Sequence, residues 1–93
     1  MPTKGERTTI TKVHAFNEVG ILEERGRQGW RLVGVGLGRL DVEYEGRPCE
    51  HLRVAFASPA QLSALREAGW EVAGKWAFLT YLWRPSPEPR SDA

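Results

Sequence analysis

His14, Cys49 and His51 are the soft side chains of this chain that could ligate a metal or pair as nucleophile and base. Cys49-Glu50-His51 lacks the paired spacing of a zinc site, where four ligands recur at recognisable intervals. A cysteine nucleophile needs a base and a group to orient that base, and no surrounding signature supplies them. The sequence therefore predicts no metal, no cofactor and no catalytic set. His51 and Arg53 read as solvent-facing positions of a strand whose Leu52, Val54 and Phe56 face the core. His14 aligns with Val54 in the internal repeat described below. It is half-buried in that register, and in water if the register slips by one residue.

Two other clusters carry polar or backbone chemistry. Asp41, Glu43 and Glu45 form an acidic row on one strand face. Acid–base catalysis by two carboxylates needs environments that push their pKa values apart, and a uniform exposed row offers none. Arg25, Arg27, Arg31 and Arg39 lie close enough in sequence to offset it. Gly34, Gly36 and Gly38 alternate along one segment. The spacing is not that of a dinucleotide fingerprint, and a strand rather than a helix follows. Glycines in a strand mark a bend or a close backbone approach. The alternation predicts all three on the face of Trp30 and Leu32.

These residues are positioned by elements that occur twice. Ala15-Phe16 recurs as Ala55-Phe56, Leu22 as Leu62, Gly29-Trp30 as Gly69-Trp70 and Gly34 as Gly74, always forty residues apart. That is six identities in twenty aligned positions, where ordinary usage gives about one. A repeat fixes architecture before anything else does. Each half reads strand–helix–strand–strand. Thr8 to Phe16 is β-branched and reads as a strand, with Asn17 as helix N-cap. Gly29 closes the helix, and Trp30 to Leu37 and Leu40 to Glu45 are strands. In the last of these Leu40, Val42 and Tyr44 alternate with the acidic row. In the second half Glu50 to Ala57 is a strand. Ser58-Pro59-Ala60-Gln61 is a capping box with proline at the first helical position. Gly69 ends that helix, Trp70 opens a strand and Ala77 to Arg84 is the last one.

The fold class is α+β: a tandem repeat with a mostly antiparallel sheet of about six strands and two helices on one face. Residues 1–7 read as a flexible N-terminus and 8–84 as one domain, with pseudo-repeats 8–46 and 48–84. Pro85, Pro87 and Pro89 make 85–93 a flexible tail.

Ninety-three residues make one domain. With 13 basic and 12 acidic side chains the net charge is +1, too small a field to draw in nucleic acid or an anionic membrane. One cysteine forbids an internal disulfide and predicts a reducing, cytoplasmic home. No apolar signal core or membrane-spanning run is legible.

The runs Gly29-Trp30-Arg31-Leu32-Val33 and Gly69-Trp70-Glu71-Val72-Ala73 resemble small bacterial domains of unknown function whose helix ends in Gly-Trp-Glu-Leu-Val. The tandem layout is similar to duplicated strand–helix–strand–strand modules, some of which bind small drug-like molecules. The first resemblance brings no catalytic residues. The second is one of topology. A structural account of Gly-Trp is that glycine stops the helix and tryptophan fills the joint between helix and sheet.

The last strand is apolar on both sides, with Leu79, Tyr81 and Trp83 on one and Phe78, Thr80 and Leu82 on the other. Such a strand needs both sides covered. If both helices lie on one face, Val33, Val35, Leu79, Tyr81 and Trp83 form an open apolar patch, and such a patch marks a partner or ligand site. The leading expectation is a non-enzymatic interaction module that homodimerises through this face. The alternative is a domain that binds a planar or apolar small molecule in an aromatic pocket, with Trp76 and Trp83 as contacts. A remote alternative is single-stranded nucleic acid stacked on Tyr81 and Trp83.

Overall fold

The structure is a computed structural model that describes residues 2–87. Eight elements follow in the order β1 (Arg7–Thr11), α1 (Glu18–Arg27), β2 (Trp30–Gly36), β3 (Arg39–Tyr44), β4 (Cys49–Ala55), α2 (Pro59–Glu67), β5 (Glu71–Trp76) and β6 (Leu79–Pro85). The α+β class, the two helices and the six antiparallel strands are those the repeat requires. The strands divide into two sheets of three, β1-β3-β2 and β4-β6-β5. Each half thus places its last strand in the middle of its own sheet. Most of the tail expected at 85–93 lies outside the described residues, while Pro85 itself pairs with Cys49 at the end of β6.

Local chemistry explains the boundaries. Ser58 Oγ accepts from the Gln61 amide at 3.1 Å and Gln61 Oε1 accepts from the Ser58 amide at 3.0 Å, a complete capping box. Gly29 and Gly69 close the helices at φ 98° and 97°, a conformation cheap only for glycine. The first strand is shorter than expected. Lys12 turns into the left-handed region at φ 61°, and the Val13 amide bonds the Gly38 carbonyl instead. Asn17 precedes α1 without capping it; its Oδ1 accepts from the His14 amide at 2.9 Å and so holds the connecting turn.

Both sheets carry an irregularity at the same repeat position. The register shifts at Val33 between Leu32 and Gly34, and at Ala73 between Val72 and Gly74. An inserted residue swaps the faces of everything beyond it. Val35 therefore stands opposite Leu40 on the buried face, while Gly34 and Gly36 stand opposite Asp41 and Arg39. This corrects the placement of the glycines with Trp30 and Leu32. It also removes Val35 from the outer face. Val35 instead meets the other half: a Cβ on Gly74 would lie 3.1 Å from Val35 Cγ2. Bare backbone there lets β5 approach β2.

The first core forms beneath α1, where Leu22 packs with Trp30, Leu32, Leu40 and Val42. Trp30 is buried and meets Tyr44 edge-on at 5.2 Å between ring centroids, as the helix–sheet joint requires. The acidic row is balanced across the wet side of this sheet. Arg31 pairs with Glu43 and Glu45, Arg39 with Asp41 and Arg7 with Glu43.

The halves pack so that α1 lies between its own sheet and the second one. Gly26 of α1 runs against the Cys49 carbonyl of β4, leaving no room for a side chain. Tyr81 is 1% exposed and Trp83 8% exposed, with Arg31 of β2 stacked over Trp83 at 5.0 Å. The open face expected at Leu79, Tyr81 and Trp83 is therefore closed by α1 and β2. On the reverse of β6, Leu82 and Thr80 are also buried. Helix α2 sits on that side: Arg84, which shares the face of Leu82, donates to the carbonyl of the helix cap Ala68 at 3.0 Å. Two-sided cover for β6 is what its apolar sequence demands. One helix lies on each side of it, not two on one.

Candidate functional site between the halves

The hydroxyl of Tyr81 and the guanidinium of Arg53 converge on one oxygen. Tyr81 donates to Glu18 Oε1 at 2.7 Å, and Arg53 Nη1 donates to the same atom at 2.7 Å. Glu18 opens α1, so its carboxylate also meets the positive end of that helix. Arg53 is turned inward from β4, and its Nη1 reaches the Ala15 carbonyl at 3.4 Å. Both donors come from the second half and the acceptor from the first. Burial and the adjacent carboxylate drive the Tyr81 hydroxyl far above its ordinary pKa, so it stays a donor.

A cleft of about 390 Å³ opens above this network. The first half lines it with Val13, His14, Ala15, Glu18 and the Gly36–Gly38 turn; the second contributes Arg53, Trp76, Ala77, Phe78, Leu79 and Tyr81. The volume lies within the range of small-molecule sites, which pair apolar walls with a few convergent polar groups. Its rim is unusually apolar for a surface. Leu37 is 83% exposed, Phe78 53% and Trp76 42%. Phe56 stacks on Phe78 at 4.7 Å with the rings 9° from parallel, and Phe16 stands almost wholly in solvent.

Backbone strain collects at the same end. Lys12, Phe56 and Ala77 adopt φ 61°, 52° and 54°, the non-glycine residues with positive φ among those described. Ala77 lines the cleft, Lys12 precedes the lining residue Val13, and Phe56 stacks on the lining residue Phe78. Such conformations cost about 1–3 kcal/mol apiece and gather at ligand clamps more often than elsewhere.

Compared with protein-family models, with curated proteins and with solved structures, the chain finds no match.

The residues singled out in the sequence divide among several places. Trp76, Leu79 and Tyr81 join the cleft. Trp83 is buried beneath Arg31, Val35 packs between the sheets, and Val33 lies beside Arg7, Thr9 and Asp41 on the wet side of the first sheet. His14 lines the cleft and is exposed, so its ambiguous register resolves toward water. Cys49 and His51 belong to a separate surface cleft with Glu23, Arg27, Glu50, Trp70 and Ser86. Among the described residues no three His, Cys, Asp or Glu side chains gather as a metal site.

His51 does not point to solvent as its strand position implied. Its Nε2 accepts from the Leu32 amide of β2 at 3.0 Å, which fixes the proton on Nδ1. Nδ1 is shut off from solvent and makes no well-formed hydrogen bond, while the Leu22 carbonyl near the ring weakly favours its charged form. Burial dominates and pulls the ring down to about 4, so it is neutral at pH 7. Burial also pushes the Cys49 thiol up to about 11, which removes the thiolate a nucleophile needs.

Glu18, Arg53, Leu37, Phe56 and Phe78 are the site residues sequence reasoning passed over. One signal was available. Ala-Phe is kept in both halves at the strand-to-helix junction, yet Phe16 and Phe56 face solvent and hold neither core together.

Proposed function

We propose that this domain binds a planar or apolar small molecule in the cleft between its two halves. The observation that carries the reading is the joint construction of the cleft. A part-buried Glu18–Arg53–Tyr81 network forms the floor and exposed Leu37, Trp76 and Phe78 form the rim. Apolar groups left in water at a concave polar floor are costly unless something covers them. The role is binding rather than chemistry: the floor holds an ion pair and a hydroxyl that burial keeps protonated, with no activated nucleophile beside them. A reducing, cytoplasmic setting suits the single buried thiol. Among the described residues, no helix is long and apolar enough to cross a membrane.

Titration with planar two-ring compounds, followed by tryptophan fluorescence and by thermal shift, tests this. Trp76→Ala should abolish the fluorescence response and weaken binding by about tenfold or more, since aromatic contacts are worth about 1–3 kcal/mol. Binding that is unchanged in Trp76→Ala refutes the assignment to this cleft.

The second reading is homodimerisation, moved from the sheet face to the cleft end. Phe16 at 97% exposure and Phe56 at 76% favour it. Sedimentation of wild type against Phe56→Asp separates the two. A monomeric wild type eliminates the dimer and leaves the ligand reading intact.

A further inference from the structure

We infer that the cleft selects an uncharged planar ring carrying a hydrogen-bond donor and an acceptor on adjacent atoms, the edge presented by a lactam. The inference rests on the ligand-binding reading above and narrows the class of ligand.

The ion pair on the floor is only half made. A guanidinium and a carboxylate can form two parallel bonds, and that fork is their strongest arrangement. Arg53 and Glu18 form one, from Nη1 to Oε1. The Tyr81 hydroxyl takes a second place on Oε1 and holds the carboxylate in this pose. Glu18 Oε2 and the Nε and Nη2 atoms of Arg53 have no hydrogen-bond partner among the described residues. They are not sealed away either: among the described residues His51 Nδ1 is the buried polar side-chain atom left unpaired. An unpaired acceptor from the first half and unpaired donors from the second thus belong to two residues that line one cleft.

Charge then selects against ions. The floor holds one carboxylate and one guanidinium, so it has no net charge. A cationic ligand loses to Arg53 what it gains from Glu18, and an anionic one the reverse, so neither recovers the cost of leaving water as an ion. Tyr81 stays neutral, held so by burial and the carboxylate beside it. His14, on the connecting turn, is the remaining titratable side chain of the lining and is exposed. A lactam N–H can donate to Glu18 Oε2 while its carbonyl accepts from Arg53. The ring then lies against Trp76 and the side-chain-free Gly38. Hydrogen bonds to charged partners discriminate strongly, because a ligand lacking one group leaves its partner desolvated and unpaired.

The test uses the whole chain and isothermal titration with four probes: 2-quinolinone, N-methyl-2-quinolinone, quinoline and uracil. The first carries both groups on an apolar body. The second lacks the donor, the third carries an acceptor alone, and uracil carries the edge without the apolar body. The expected result is 2-quinolinone at least tenfold tighter than each of the others, with the preference over quinoline reduced to about threefold or less in Glu18→Leu. Equal affinity for 2-quinolinone, its N-methyl form and quinoline overturns the inference and leaves the ligand-binding reading standing. Uracil binding as tightly as 2-quinolinone overturns the requirement for an apolar body. Failure of all four to bind overturns both. The three two-ring probes are compared on wild type, so the outcome does not depend on the variant folding.

Discussion

Glu18 and Tyr81 lie sixty-three residues apart, one in each half, and the tyrosine hydroxyl donates to the carboxylate at 2.7 Å in the buried interior. The bond joins the start of the first helix to the last strand, and Arg53 shares its acceptor. The network is at once the lock between the halves and the floor of the cleft.

Tyr81→Phe removes one donor and keeps the ring. A bond to a charged acceptor predicts a loss of about 1–2 kcal/mol. Glu18→Ala leaves both Arg53 and Tyr81 without their partner and should cost more, about 2–4 kcal/mol. Urea unfolding of the two variants and the double variant gives the coupling. If the double variant loses the sum of the single losses, the two residues do not act on each other.

Gly26 and Gly20 belong to the same helix and predict opposite signs. Ala at Gly20 meets nothing within 4 Å and should gain about 1 kcal/mol in helix propensity. Ala at Gly26 runs into the Cys49 backbone and should lose about 1–3 kcal/mol, as overpacking does. Thermal unfolding of both variants checks this, and equal shifts would mean that α1 does not press on β4.

His51 makes stability depend on pH. Its folded pKa is about 4 against an ordinary 6.5, so between those values the unfolded chain binds the extra proton. Stability is full above pH 6.5 and declines as pH falls toward 4, by about 3 kcal/mol in all. His51→Gln keeps an acceptor for the Leu32 amide and cannot titrate. Urea midpoints measured from pH 7 to pH 5 should fall for wild type and stay nearly level for the variant. Parallel slopes for the two proteins would contradict the burial of this ring.

Ala77 sits in the two-residue turn between β5 and β6 at φ 54°, where glycine is the unstrained choice. Ala77→Gly should stabilise by about 0.5–1 kcal/mol, the relief of strain exceeding the added freedom of the unfolded chain. If the turn is strained for the sake of the rim, the variant should also bind ligand more weakly. Calorimetric melting and a titration on the same sample read both.

The repeat made much of this structure legible. Gly29 and Gly69, the Ser58–Gln61 box and the burial of Leu40 and Val42 follow from local chemistry that a single chain displays. The two-sided burial of β6 was legible too, because Tyr81 and Trp83 alternate with Thr80 and Leu82. What covers each side was not. The extra residues Val33 and Ala73 carry no signature of their own, yet they reverse the faces beyond them and bring Val35 to Gly74. The inward turn of Arg53 and His51 depends on α1 and β2 arriving from the other half. No period within β4 records that, and so an ion pair formed across the halves stayed hidden behind two residues that read as wet.

The most direct test is nuclear magnetic resonance of the uniformly ¹⁵N-labelled protein titrated with 2-quinolinone. The account predicts saturable shifts at the amides of Leu37, Gly38, Ala77 and Tyr81 and at the Trp76 indole, with the Trp70 indole unmoved on the separate cleft. Shifts centred on Trp70 and His51, or a spectrum that does not change at millimolar compound, would contradict it.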